Sequence, residues 1–191
     1  SEDLEPGDGW EYHEWLSRMS DNPPADAEQW AKQAVEAFGA GYEGRTDEYP
    51  CTLAAFRSEN QVTATFARLV EALKARGEDG FNWLLRARSS AQSFTNDKDC
   101  FDIKDFALCL AKVAARDTGI ARAAQDLAAA IDAAAVHSVA LGPTVRKATG
   151  LAFWCPGSSS SFNADVETYA HLAFDERTGW SRYLAGRFMD S

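Results

Sequence analysis

This 191-residue chain has few histidines, few cysteines and no long apolar run. It has three histidines (His13, His137, His171) and four cysteines (Cys51, Cys100, Cys109, Cys155). Four cysteines are too few to staple a chain of this length, and their spacing fits no zinc pattern. No apolar run approaches the roughly 20 residues of a membrane span. The opening Ser1-Glu2-Asp3 is polar and acidic, unlike a signal peptide, and is compatible with a mature or trimmed start. Basic residues are outnumbered, 19 Lys and Arg against 29 Asp and Glu, for a net charge of −10. That balance argues against nucleic acid and anionic membrane as partners, and suits basic peptides or divalent cations. No repeat and no Pro-, Ser- or charge-rich linker divides the chain, so 1–191 reads as a single unit.

What is present is apolar and aromatic residues, 46 % and 12 % of the chain, enough for a sizeable core. The centre of the pattern is Val136–Pro156. Two strands are expected there, Val136–Leu141 and Ala148–Cys155, joined through Gly142 and Pro143 as a core pair. Their near-continuous apolar runs predict burial on both faces. A further strand is expected over Cys51–Arg57. Most of the remainder carries helical periodicity. A loop over 1–9 leads to a helix over Trp10–Met19 with Tyr12, Trp15, Leu16 and Met19 on one face. Asp26 and Gln29 resemble a capping box before Trp30, Ala34, Phe38 and Tyr42. Gly39, Gly41 and Gly44 are expected to loosen and end that helix. Further helices are expected from Val62 to a stop at Gly77, over Phe81–Ala91, after an Asp102 cap (Ile103, Phe106, Leu110, Val113), from Thr118-Gly119 onward, and after Thr178-Gly179 (Trp180, Tyr183, Leu184, Phe188). Gly157–Ser161 reads as a flexible loop, and Val166–Phe174 as either a short helix or an extended segment.

Three stretches could carry chemistry. A Cys or Ser nucleophile needs a base beside it, usually His. No histidine here shares a local motif with a cysteine, so each reads as structural or surface, and a pair built in space stays open. Cys155, among aromatics, reads as an inert thiol. The run Asp97-Lys98-Asp99-Cys100-Phe101-Asp102 has closely spaced carboxylates, as calcium sites do. Phe101 stands where a ligand is wanted and no glycine makes the loop's turn, so a solvated loop ending in the cap Asp102 is expected. Gly7-Asp8-Gly9 puts a carboxylate on a tight turn. It reads as an ordinary acidic turn, or as a carboxylate presented to a guanidinium.

Several blocks, in order, resemble the clostripain family of cysteine peptidases, in the caspase-like clan. They are Ser1-Glu2 followed by Pro6-Gly7-Asp8-Gly9-Trp10-x-Tyr12; Pro24–Tyr42; Thr52-Leu53-Ala54-Ala55; Asp102-Ile103-x-Asp105-Phe106-Ala107; and Gly150–Pro156, followed by the Trp180 helix. No block is specific alone; their order and spacing carry the resemblance. It covers the part of the family that follows the catalytic cysteine. Family members carry the base in a His-Gly pair and the nucleophile in Asp-x-Cys. Glu14, Ser138 and Leu172 follow the histidines here, and Tyr49, Lys98, Ala107 and Phe153 stand two before the cysteines.

The resemblance therefore implies the C-terminal part of an endopeptidase cutting after Arg or Lys, with no catalytic residue in this chain. Its partners would be the remaining N-terminal part of the peptidase and a peptide or protein substrate with Arg or Lys, with no nucleic acid and no membrane. The implied fold is α/β, the C-terminal portion of a caspase-like sheet with a large helical region. Asp8 falls where the family places an acidic residue of the substrate pocket. No metal site is expected in the chain and no cofactor is certain; calcium stays open, since the family depends on it. The implied location is secreted or cell-envelope. The rival expectation is a non-catalytic helical binding or interaction module of related descent.

Overall fold

The computed structural model describes residues 12–44, 50–57, 60–94 and 97–189. Asp8 and the first residues of the expected Trp10 helix lie outside them. Within them the chain is mixed α/β, mostly helical, with two small antiparallel sheets. Helix α1 (Tyr12–Asp21) leads to α2 (Ala27–Tyr42). The Asp26 carboxylate caps α2 by accepting from the Gln29 amide at 2.8 Å, while the Gln29 side chain accepts from the Ala25 amide at 2.6 Å. This is a capping box displaced by one residue. Gly39 and Gly41 do not break α2. A Cβ on Gly39 would meet Val139 Cγ1 at 3.1 Å, so this glycine is a close-approach point for a strand.

The first sheet is β1 (Cys51–Phe56) paired with β4 (Ala135–Leu141), in register from Cys51↔Leu141 to Ala55↔His137. The second has β3 (Asp97–Asp102) between β2 (Ser93–Phe94) and β5 (Ala152–Trp154). Val136–Leu141 is thus a strand as expected, but the expected pairing fails: β4 and β5 belong to different sheets. A 3-10 turn over Pro143–Val145 separates them, and Gly150 at φ +101° breaks the second apolar run, leaving three residues as strand. Nor is β4 buried on both faces; it is half-buried, with Ser138 exposed. The acidic run Asp97–Asp102 is strand β3 rather than a loop.

Helices α3 (Asn60–Lys74) and α4 (Gly77–Arg88) meet at a tight corner, where a Cβ on Gly80 would fall 2.3 Å from the Leu73 carbonyl oxygen. Gly77 is the first residue of α4, and its φ of +56° makes the break between α3 and α4 where a stop was expected. Helix α5 (Ile103–Val113) is capped by Asp102 and α6 (Thr118–Ala134) by Asp117. The small alanine surface of α6 lets both α3 and α5 pack on it. Then come α7 (Ser159–Tyr169), α8 (Ala173–Thr178) and α9 (Trp180–Phe188). The Ser158 hydroxyl accepts from the Ser161 amide at 3.2 Å, so much of the expected Gly157–Ser161 loop is a cap and first turn.

The main core is built on β5. Phe153 sits among Phe66, Phe106 and Trp180, with ring centroids 5.8, 4.9 and 5.7 Å away. The Trp180 indole donates to the Trp154 carbonyl at 2.7 Å, tying α9 to the strand. A smaller separate cluster, Val35, Phe38, Tyr42, Cys51 and Leu53, holds α2 against β1.

Candidate functional site

Asp102 ends β3 and begins α5. Its fully buried carboxylate accepts from the Asp105 amide at 2.9 Å, the Thr149 amide at 2.5 Å and the Thr149 hydroxyl at 2.9 and 3.0 Å. Burial pushes its pKa above the ordinary carboxylate value, opposed by hydrogen bonds from Asp105, Thr149 and Gly150. The adjacent Ile103 amide donates to the Leu151 carbonyl at 2.9 Å. The next residue along, Gly150, packs so closely on β1 that a Cβ there would lie 2.1 Å from the Ala54 Cβ. Three separated segments, 52–55, 102–107 and 150–156, therefore meet at one junction.

Beside that junction lies a cavity of about 850 Å³. Its apolar wall includes Phe56, Val62, Ile103, Leu151, Phe153 and Phe174, and Arg57, Asp165, Thr168 and Arg177 make it polar on another side. The Arg57 guanidinium is fixed by Glu28 at 2.6 and 3.2 Å and by the Ala133 carbonyl at 3.2 Å. Such a site suits an apolar group attached to something polar. One thiol, Cys100, lines it, and no histidine does.

The four cysteines are free thiols. Cys155 is wholly buried and its pKa is pushed up to about 12 by burial; Arg88 opposes the shift and Asp99 adds to it. A thiol so held is a poor nucleophile. Cys51 is also fully buried. Burial, with Asp105 adding, pushes the Cys109 thiol up. His13 and His171 are exposed, and His137 pairs with Ala55 across the first sheet.

Two features near the site escape sequence reasoning. Arg88 donates from Nε to the Cys155 carbonyl at 2.6 Å and from Nη2 to Asp99 at 2.7 Å, with its guanidinium 4.6 Å from the Phe101 ring centroid. It thereby joins α4 to β3 and β5. The Thr149 grip on Asp102 is the second; the only signal for it was a hydroxyl residue and a glycine just before an apolar run. Asp99 on Arg88 and Asp102 on Thr149 thus serve internal partners. Among the described residues, no group of three or more His, Cys, Asp or Glu could hold a metal ion. No described helix is long and apolar enough to cross a membrane.

A different surface is aromatic. Tyr12, Leu16 and Trp30 on α1 and α2 are 57 %, 56 % and 47 % exposed, with Trp15 packed edge-on between Tyr12 and Trp30. Comparison with protein-family models, with curated proteins and with solved structures finds no match for this chain.

Proposed function

We propose that this chain is the C-terminal part of a clostripain-like cysteine endopeptidase that cuts after Arg or Lys, supplying the specificity pocket and the scaffold. The observation that carries the reading is the convergence of separated blocks. Thr52–Ala55, Asp102–Ala107 and Gly150–Pro156 resemble the family in order and spacing, and they also meet around the Asp102–Thr149 grip and the Gly150–Ala54 contact. In this reading the two small sheets, β1–β4 and β2–β3–β5, are the parts of a caspase-like region that lie in this chain. A cysteine thiolate outside this chain attacks the peptide carbonyl, and a histidine outside it handles the protons. The absence of Asp-x-Cys and His-Gly from the sequence and the buried Cys155 thiol support that division. The reading carries with it a secreted or cell-envelope location and an open place for calcium in the complete enzyme.

Asp8 is the specificity residue of this proposal, its carboxylate receiving the substrate guanidinium or ammonium. In the complete enzyme, Asp8→Asn keeps size and removes charge. The expected loss in kcat/KM on arginine peptides is on the order of 30- to several-thousand-fold, as for one partner of a desolvated charge pair, with little loss on norleucine peptides. Equal losses on both, or none on arginine, reject Asp8 in this role.

The exposed aromatic face on α1 and α2 favours a second reading, a non-catalytic helical interaction module of related descent. Mass spectrometry of the native protein separates the two. A co-purifying fragment with Asp-x-Cys and His-Gly supports the peptidase; a mature chain of only these 191 residues supports the module.

A further inference from the structure

The cavity of about 850 Å³ beside the Asp102 junction has the size of a small-molecule site. Five of its lining residues are aromatic: Phe56, Phe153, Trp154, Tyr169 and Phe174. Phe56, Tyr169 and Phe174 are only half-buried, which leaves apolar surface that the fold itself does not cover. Leu172, 48 % exposed, adds more of the same wall.

The charged groups of the cavity are not equivalent. The Arg57 guanidinium is neutralised by Glu28 at 2.6 and 3.2 Å, and Arg177 makes contacts within the protein. Asp165 on α7 is exposed, and its carboxylate has no ion pair and no hydrogen bond among the described residues. Thr168 lines the cavity three residues further along the same helix, so its hydroxyl and the Asp165 carboxylate share a face. The uncommitted charge here is therefore negative, in a chain whose net charge of −10 draws cations in. Aromatic faces carry negative potential as well and attract ammonium groups. Carboxylate and rings thus favour one kind of guest. An anion would compete with Glu28 for Arg57 and meet a free carboxylate. A wholly apolar guest would leave Asp165 and Thr168 unused.

We propose that this cavity binds a small organic amine with an apolar body, the body lying against Phe56, Tyr169, Phe174 and Leu172. The ammonium stays at the mouth and donates to the Asp165 carboxylate and the Thr168 hydroxyl. The site needs no residue outside this chain, so it stands or falls apart from the peptidase reading. The test is isothermal titration of the 191-residue chain with phenylbutylamine, phenylbutanol and phenylbutyrate at fixed ionic strength, three head groups on closely matched bodies. The amine binds saturably with Kd of about 1 mM or tighter. It binds about 5-fold or more tighter than the alcohol, as for a partly solvated ion pair, and the carboxylate binds most weakly. Asp165→Asn, at an exposed position, brings the amine down to the affinity of the alcohol and leaves the alcohol unchanged. Leu172→Ala, also exposed, weakens all three ligands alike. Saturating amine slows alkylation of Cys100, which lines the cavity, and spares the rate at Cys109, which does not. Absence of saturable binding, an amine affinity that Asp165→Asn leaves unchanged, or an unchanged rate at Cys100 overturns the site. An alcohol or carboxylate that binds as tightly as the amine overturns the cationic ligand.

Discussion

Truncating Phe153 to alanine tests the arrangement of the main core directly. The side chain is 4 % exposed and touches the rings of Phe66, Phe106 and Trp180. A phenylalanine buries roughly 150–250 Å², about 4–6 kcal/mol at 25 cal/mol per Å², of which alanine retains part. Each lost ring pair adds about 0.5–1.5 kcal/mol, though not additively. The three neighbouring rings are held by other helices and cannot collapse into the space. Phe153 also lines the large cavity, so the void joins an existing one and is partly relieved. The expected loss is therefore about 3–5 kcal/mol, as for other buried aromatics. At roughly 2–4 °C per kcal/mol for a chain of this size, Tm falls by about 6–20 °C. Urea unfolding followed by circular dichroism and by tryptophan fluorescence measures it, since Trp180 adjoins the site. Phe153→Leu, which keeps most of the buried area but gives up the ring pairs, should cost less than Phe153→Ala. A loss below about 1 kcal/mol for Phe153→Ala, the range of surface substitutions, refutes the placement of Phe153 at the core.

Gly150→Ala forces a Cβ to 2.1 Å from Ala54 at φ +101°, so strain and overpacking together should cost about 2–5 kcal/mol in urea unfolding; a neutral result contradicts the β1–Gly150 contact. Asp102 has a raised pKa in the fold, so between its ordinary value of 3.8 and the raised one the folded protein holds a proton that the unfolded chain has lost. Its contribution to stability therefore falls as pH rises through that window. Asp102→Asn removes this titration and sets an amide against the Thr149 donors. The wild type's advantage over it, measured by denaturation across pH, should be largest in acid and shrink as pH rises; growth with pH would reverse the sign of the argument. Thiol alkylation mapped by mass spectrometry should modify half-buried Cys100 well before Cys51 and Cys155, both 0 % exposed, and equal rates at Cys100 and Cys155 would contradict the burial.

Local signals suffice where one element decides its own form. Cys51–Phe56 has the apolar and β-branched character of a strand, Asp102 and Asp26 have side chains that cap, and Trp180 to Phe188 keeps a helical stripe. The misreadings share a cause, a distant partner. Asp97–Asp102 looks solvated until Arg88, on another element, neutralises Asp99 and the strand can form. The Ser-rich stretch after Gly157 looks flexible, but one of its hydroxyls caps a helix. Val136–Leu141 and Ala148–Cys155 look like neighbours because both are apolar and close in sequence, whereas their partners come from residues 51–56 and 97–102. The large cavity has no local signature, since its wall is drawn from eight helices and strands.

The division of the core has a consequence for access to that cavity. The β1–β4 ribbon has two strands, and such a ribbon is marginal alone, so it depends on the small cluster under α2. The aromatic body around Phe153 is far larger. Regions with fewer buried contacts open at lower free energy than the global transition. Phe56 and Arg57 form one lip of the cavity at the β1 end of the ribbon, and Phe56 packs on the larger body that carries the floor of Ile103, Leu151 and Phe153. The lip is therefore tied to the same body as the floor, and fraying of the ribbon from its Cys51–Leu141 end leaves the mouth in place.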